Sequence, residues 1–235
     1  PANVGALMTT REGGLSPAPF ASNNMGGGGG DSPALVARNR AKLVQASGMG
    51  AGPVFLRQVH SAQLIWQASG VVRSHPADAH WTDQAGLPLA VMAADCLPVL
   101  ACDERGRLVM AIHAGWRGLC AGIVAQALRE MRARLPSNTR IFVWLGPCIG
   151  ACHFAIGAEV RAAFLAKDSA YEEAFSTREQ QHFASLHVLA RAQLRDFSGL
   201  SLSADGRCTV CESQQFYSYR REWQTGRMAA IIWRR

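Results

Sequence analysis

Three short runs, residues 89–93, 108–112 and 141–145, constrain this chain most, because each is apolar at both alternating sets of positions. A strand without a polar face has to be covered on both sides, so these runs predict buried strands at the centre of a layered domain. Residues 54–58 and 229–233 read as weaker strands. Helices are expected around them. Asp31 or Ser32 caps one that carries Pro33 in its first turn and runs to Gly48. A second spans 118–135, where Leu119, Ile123, Ala127 and Met131 recur at steps of four, Val124 and Leu128 flank them, and Pro136 stops the pattern. Residues 158–166 and 186–197 give two more, with Gly199 placed to end the last. Strands and helices do not alternate regularly. The expected class is therefore α+β, with mixed β-sheets and helices packed outside in α/β/β/α-type layers, as a single compact domain over 1–235.

Composition narrows the function. The chain is 49% hydrophobic and 17% charged, enough for a sizeable core and too apolar for disorder. Its richest apolar stretch, 87–102, is interrupted by Pro88, Asp95 and Pro98 and falls short of a membrane span. No basic segment followed by an apolar one opens the sequence, so a cytoplasmic location is expected. The net charge is +7, nearly all of the positive charge being arginine, since lysine occurs only at Lys42 and Lys167. The arginines are spread out and accompany no basic helix or RNA-binding motif, which argues against nucleic acid and leaves an anionic small molecule open. A monomer or weak homodimer is expected.

Chemistry gathers where the apolar runs stop. The first leads into Ala94-Asp95-Cys96-Leu97-Pro98, the second into His113-Ala114-Gly115-Trp116-Arg117-Gly118, and the third into Gly146-Pro147-Cys148. The weaker strand from Val54 ends at Arg57-Gln58-Val59-His60-Ser61. Reactive side chains at the ends of rigid strands, with glycines beside them, are a common way to build a site. His60, Cys96 and His113 form a mixed nitrogen and sulfur donor set suited to zinc, with a fourth position left for water or substrate. Their spacings of 36 and 17 residues match no local zinc signature. The alternative is a metal-free pair, Cys96 as nucleophile and His113 as base. Asp95, beside a buried strand, has to be paired or hydrogen-bonded.

Seven cysteines without a secretory signal read as reduced thiols. Cys208 and Cys211 form a C-x-x-C, and Cys148 and Cys152 a C-x3-C followed by His153. The two pairs stand 56 residues apart, outside any knuckle-like glycine context, and are expected to be adventitious thiols rather than a structural zinc site. The zinc deaminase signature, His-x-Glu before Pro-Cys-x-x-Cys, is absent. The glycine run 26–30 lacks the preceding strand and the Gly-Lys-Ser/Thr ending of a phosphate loop and reads as a flexible loop.

In combination these segments resemble the YfiH-like family, also called the laccase-domain or polyphenol oxidase family. The resemblance is carried by Thr9-Thr10-Arg11-Glu12-Gly13-Gly14, Asn39-Arg40, Arg57-Gln58-Val59-His60-Ser61 and Ala77-Asp78-Ala79. It continues through Ala94-Asp95-Cys96-Leu97-Pro98-Val99, His113-Ala114-Gly115-Trp116-Arg117-Gly118 and Leu145-Gly146-Pro147 to Phe216-Tyr217-Ser218-Tyr219-Arg220-Arg221 and Thr225-Gly226-Arg227. It implies a mixed α/β fold with one zinc held by His60, Cys96 and His113, copper being the less favoured metal. The implied activity is phosphorolysis of adenosine, inosine and methylthioadenosine, together with adenosine deamination. Its partners are thus a purine nucleoside and phosphate. Cytoplasmic editing of serine misincorporated in a peptidoglycan precursor, and copper-dependent phenol oxidation, are also attributed to such proteins. Asp95 is then a candidate orienter or proton carrier, and Arg117, Arg57 and Arg11 are candidates to hold phosphate. One departure stands out: Gly28 occupies a place where the family often has histidine.

Overall fold

A central sheet of six strands runs in the order β12 (Leu200–Ala204), β8 (Ile141–Leu145), β6 (Leu97–Asp103), β7 (Val109–Ala114), β4 (Ala79–Thr82) and β3 (Leu64–Trp66). Beside it lies a four-stranded sheet ordered β1 (Val4–Met8), β13 (Met228–Arg234), β5 (Leu89–Ala93) and β2 (Val54–Phe55). A small third sheet joins β10 (Phe175–Arg178), β11 (Gln181–Ala184) and β9 (Ala155–Ile156). These elements come from a computed structural model that describes residues 1–68 and 76–235.

The period-two alternation of strands explains the layering. Leu89 and Val91 of β5 and Ala230 and Ile232 of β13 face Leu100, Val109 and Ala111 of the central sheet. The opposite face of β5 and β13, with Ala90, Ala229 and Ile231, packs on Leu43 of α1 (Pro33–Ser47) and on Met25 and Met49, which lie outside that helix. The far face of the central sheet is covered by α2 (Trp116–Cys120), α3 (Ile123–Arg132), α4 (Ala158–Leu165) and α5 (Leu186–Leu194). One mixed α+β domain in α/β/β/α layers is the result, as the sequence pattern predicts. Leu128 of α3 is fully buried in the helical layer, so Leu128→Ala would cost ~2–5 kcal/mol.

Five expectations need correction. The helix predicted over 118–135 is two helices, because Gly122 at φ 84 adopts a left-handed conformation that breaks the turn between α2 and α3. The run 108–112 is β7, which extends to Ala114 and so includes His113 within the strand. Between them lies β6, seven buried residues that no periodicity announced because Pro98 and Asp95 mimic a turn. Pro98 is tolerated because pairing with β8 starts only at Val99. The predicted strand 54–58 shrinks to β2, and the predicted helix 186–197 ends at Leu194.

Candidate active site

The chain crosses from the four-stranded sheet to the central one in the three residues between β5 and β6, so Cys96 sits at a common end of both sheets. That crossing requires Asp95 at φ 94, and the strained residue is held on both carboxylate oxygens. Thr209 Oγ1 donates to Oδ1 at 2.6 Å, and the Arg220 amide donates to Oδ2 at 2.7 Å. These two bonds fix the turn that carries the neighbouring Cys96.

His113 arrives on the last turn of β7 beside it. His60 arrives from the segment after β2, itself at φ 59. The ligand atoms of His60, Cys96 and His113 all lie within 4.8 Å of one another, with His60 Nε2 3.8 Å from Cys96 Sγ. The two imidazoles meet edge to face at 4.9 Å. Gly115 closes the group: a Cβ there would stand 3.0 Å from both Cys96 Sγ and a ring carbon of His60, so no larger residue fits without displacing a donor.

Asp78, fully buried just before β4, organises this cluster. Its carboxylate accepts from the amides of Val59, His60 and Ser61 and from the Ser61 hydroxyl, which fixes the strained His60 turn. It also accepts from His113 Nδ1 at 2.8 Å, leaving Nε2 to the cluster. Burial alone would raise the Asp78 carboxyl; the hydrogen bonds from His113 and Ser61 outweigh it and bring the pKa to about 2. Burial likewise works against charging Cys96 and His113. Their mutual attraction prevails, with the thiol drawn down to about 6 and the imidazole raised to about 9. Asp78 stands in a segment that carries the family resemblance, yet no role was attached to it. The rule applied to Asp95, that a carboxylate at a buried strand must be bonded, points to Asp78 equally.

These groups lie on the wall of a cleft of about 740 Å³, within the usual size of a small-molecule site. Arg57 and Arg117 line it, as do Arg220 and Arg227, which sequence reasoning did not single out. Arg117 stacks 4.5 Å over the Trp116 ring. Among the described residues neither Arg57 nor Arg117 has a carboxylate partner. Arg11 is not on the cleft wall: its guanidinium is engaged by the carbonyls of Ala21 and Ser213 and by Glu222. The glycine run also lines the cleft through Gly26–Gly29, anchored by Asn24, which bonds Gly26, Asp31 and the Arg227 amide. A Cβ on Gly28 would meet nothing within 4 Å, so the open space is filled by no side chain. A second cavity of about 420 Å³ between the two large sheets has, among the described residues, no His, Asp, Glu, Lys or Arg on its wall.

The donor set suits a borderline-soft metal. Two imidazoles and a thiolate are zinc donors, the carboxylate behind His113 fixes its tautomer as metal-binding histidines require, and the fourth side faces the cleft. Among the described residues, the only other grouping of such donors is a surface set at Cys152, His153, Cys208 and Cys211. The parallel pairing of β12 with β8 brings these two loops, and their thiols, together. Cys148 takes no part; it turns inward toward His187. No helix among the described residues is long and apolar enough to cross a membrane.

Comparison with known proteins identifies the family. Residues 5–235 match the family described as multi-copper polyphenol oxidoreductase laccase. The chain is 42% identical over 233 residues to "Purine nucleoside phosphorylase YfiH" of Escherichia coli K12, covering 99% of this chain and 95% of that protein. It is 40% identical over 236 residues to "Purine nucleoside phosphorylase PA4543" of Pseudomonas aeruginosa, covering 99% and 94%. The crystal structure of Neisseria meningitidis protein NMB0706 superposes with a TM-score of 0.91 at 39% identity, covering 100% of this chain and 95% of that one. Likeness that runs the length of both chains, in sequence and in fold, makes this protein a member of the laccase-like polyphenol oxidase family that includes the YfiH proteins.

Proposed function

We propose that the protein is a cytoplasmic, zinc-dependent purine nucleoside phosphorylase acting on adenosine, inosine and methylthioadenosine, with adenosine deamination at the same site. The observation that carries this reading is the convergence of His60, Cys96 and His113 on an arginine-lined cleft of nucleoside size. The names of the relatives support the same class of enzyme. In phosphorolysis the N-glycosidic bond breaks, a bond forms between the pentose C1′ and a phosphate oxygen, and the base leaves with a proton.

His60, Cys96 and His113 would hold the zinc, which when bound supplies Lewis-acid polarisation of a substrate oxygen. With zinc bound, Asp78 would keep a proton on His113 Nδ1 and leave Nε2 for the metal. The low pKa of Cys96 favours the thiolate that a metal needs. Arg57 and Arg117 would bind the phosphate, because a planar fork of donors matches its oxygens. Arg220 and Arg227 add positive charge to the same cleft, while Arg11 is engaged away from it by the Ser213 carbonyl and Glu222. The glycine loop would cover the bound nucleoside.

A second reading is favoured by one feature. Asp78, His113 and Cys96 stand in the order orienter, base, nucleophile, which suits a metal-free thiol hydrolase acting on a peptidoglycan precursor. A multicopper phenol oxidase needs a histidine-rich copper cluster. The donor groupings among the described residues contain at most two histidines each.

The experiment is direct. Zinc-loaded protein given inosine and inorganic phosphate should release hypoxanthine and ribose 1-phosphate, with both products dependent on phosphate. No hypoxanthine would refute the reading. Phosphate-independent release of serine from a serine-bearing precursor, faster than any phosphorolysis and resistant to chelators, would establish the second instead.

A further inference from the structure

Four donors outside the cleft are arranged with a regularity that core packing does not explain. Cys152, His153 and Cys211 are exposed, so burial of apolar surface is no reason for them to meet. Yet Cys152 Sγ lies 3.8 Å from Cys208 Sγ and 3.7 Å from Cys211 Sγ. His153 Nδ1 lies 3.2, 3.8 and 3.4 Å from the sulfurs of Cys152, Cys208 and Cys211. All four ligand atoms fall within 4.8 Å of one another.

Those five distances lie near five edges of a tetrahedron, and the sixth, between the sulfurs of Cys208 and Cys211, is within 4.8 Å. With metal–sulfur bonds of ~2.3 Å and a metal–nitrogen bond of ~2.05 Å, a tetrahedral zinc site has sulfur–sulfur edges of ~3.8 Å and sulfur–nitrogen edges of ~3.6 Å. The sulfur–sulfur separations are also far longer than the ~2.05 Å of a disulfide. The local backbone adds a further sign of a metal-binding turn. The amides of Gly150, Val210 and Cys211 point at Cys208 Sγ, the Gly150 contact being 3.2 Å. Such donors stabilise a sulfur that carries negative charge.

We propose that Cys152, His153, Cys208 and Cys211 hold a second zinc ion, a closed structural site that clips the loop after β8 to the loop after β12. Three thiols would lose their protons on binding, with no change of oxidation state. No donor position remains for substrate, which separates this site from the open cluster in the cleft. The clip has a mechanical consequence. The two loops already touch through a parallel backbone β-bridge between Cys148 and Cys208, whose thiols are free, and through the Thr209 amide, which donates to the Cys148 carbonyl at 3.0 Å. Thr209, between the two cysteines of the turn, is the residue whose hydroxyl holds Asp95. The second metal would thus brace the wall that aims Cys96, and its existence does not depend on the phosphorylase reading.

The test is metal content of the full-length protein purified without chelators. The wild type should carry about two zinc ions per chain, and Cys96→Ser and the double variant Cys152→Ser/Cys211→Ser about one each. Cobalt(II) added to metal-stripped Cys96→Ser should give the thiolate charge-transfer and intense visible bands of a tetrahedral site, both lost when Cys211→Ser is added. That spectrum reads the site without needing the double variant to be stable. A Cys96→Ser protein that holds no metal and gives no such spectrum overturns the proposal. So does a Cys152–Cys208 or Cys152–Cys211 disulfide found by mass spectrometry in freshly purified reduced protein. Zinc that survives Cys96→Ser but leaves with the double variant upholds this site even where the cleft binds none.

Discussion

The cleft and the surface clip use the same donor types to opposite ends. In the cleft, three donors come from three separate elements and are tensioned by the strained backbone at His60 and Asp95. The fourth direction is left to the cleft, and a buried carboxylate stands behind one donor. At the surface, four donors come from two short loops and close on themselves, with amides rather than a carboxylate behind them. An open site has to be held rigid by its surroundings because the metal cannot complete its own shell; a closed one is held by the metal. The first should therefore fail through chemistry, the second through stability.

The largest effect is expected at Cys96. Cys96→Ser should lower phosphorolysis by about 10³-fold, ~4 kcal/mol of barrier, with little change in thermal midpoint, as measured by coupled hypoxanthine assay and calorimetry. An equal loss of stability would blur the contrast between the two regions.

Asp78→Asn comes next. It keeps the shape but weakens the hold on both His60 and His113, and should cost about 10–100-fold in zinc affinity or activity. Added zinc should recover part of the rate, whereas Cys96→Ser should stay inactive.

Acid offers a third test, at a buried imidazole outside both donor clusters. His80 on β4 is fully buried, and burial lowers its pKa to about 3. An unfolded histidine takes a proton near pH ~6.5. Between those limits the unfolded chain binds a proton that the native chain refuses. Stability should then fall as pH drops from ~6.5, by up to ~1.4 kcal/mol per pH unit. Denaturant titrations across that range should show His80→Leu with a slope shallower by this amount.

The smallest change in rate is expected at the clip. Cys211→Ser should lower the thermal midpoint by about 2–4 °C for each kcal/mol lost, while kcat/KM for inosine stays within about threefold, ~0.7 kcal/mol. A rate loss as large as that of Cys96→Ser would mean the two regions are not separable.

Much of this could be read before any fold was known. Strands β5 and β8 were legible because residues covered on both faces leave no polar period, and α1 because Ser32, Pro33 and Gly48 punctuate it. His60, Cys96 and His113 were legible as donors at strand ends. Asp78 was visible but unassigned, since a carboxylate shows its purpose only through the five groups that donate to it. Strand β6 was hidden by Pro98, whose missing amide falls outside the pairing with β8. The surface cluster was not legible for a different reason. Its donors meet only because β12 pairs in parallel with β8, bringing together residues whose separation along the chain carries no periodic trace.

Anomalous diffraction at the zinc edge from crystals of the zinc-loaded protein tests the central claim most directly. A peak in the cleft ~2.0–2.3 Å from His60 Nε2, Cys96 Sγ and His113 Nε2, with its fourth side turned to solvent or to added phosphate, is the expected result. Zinc found at the surface clip alone, with the cleft donors turned away from one another, would contradict it.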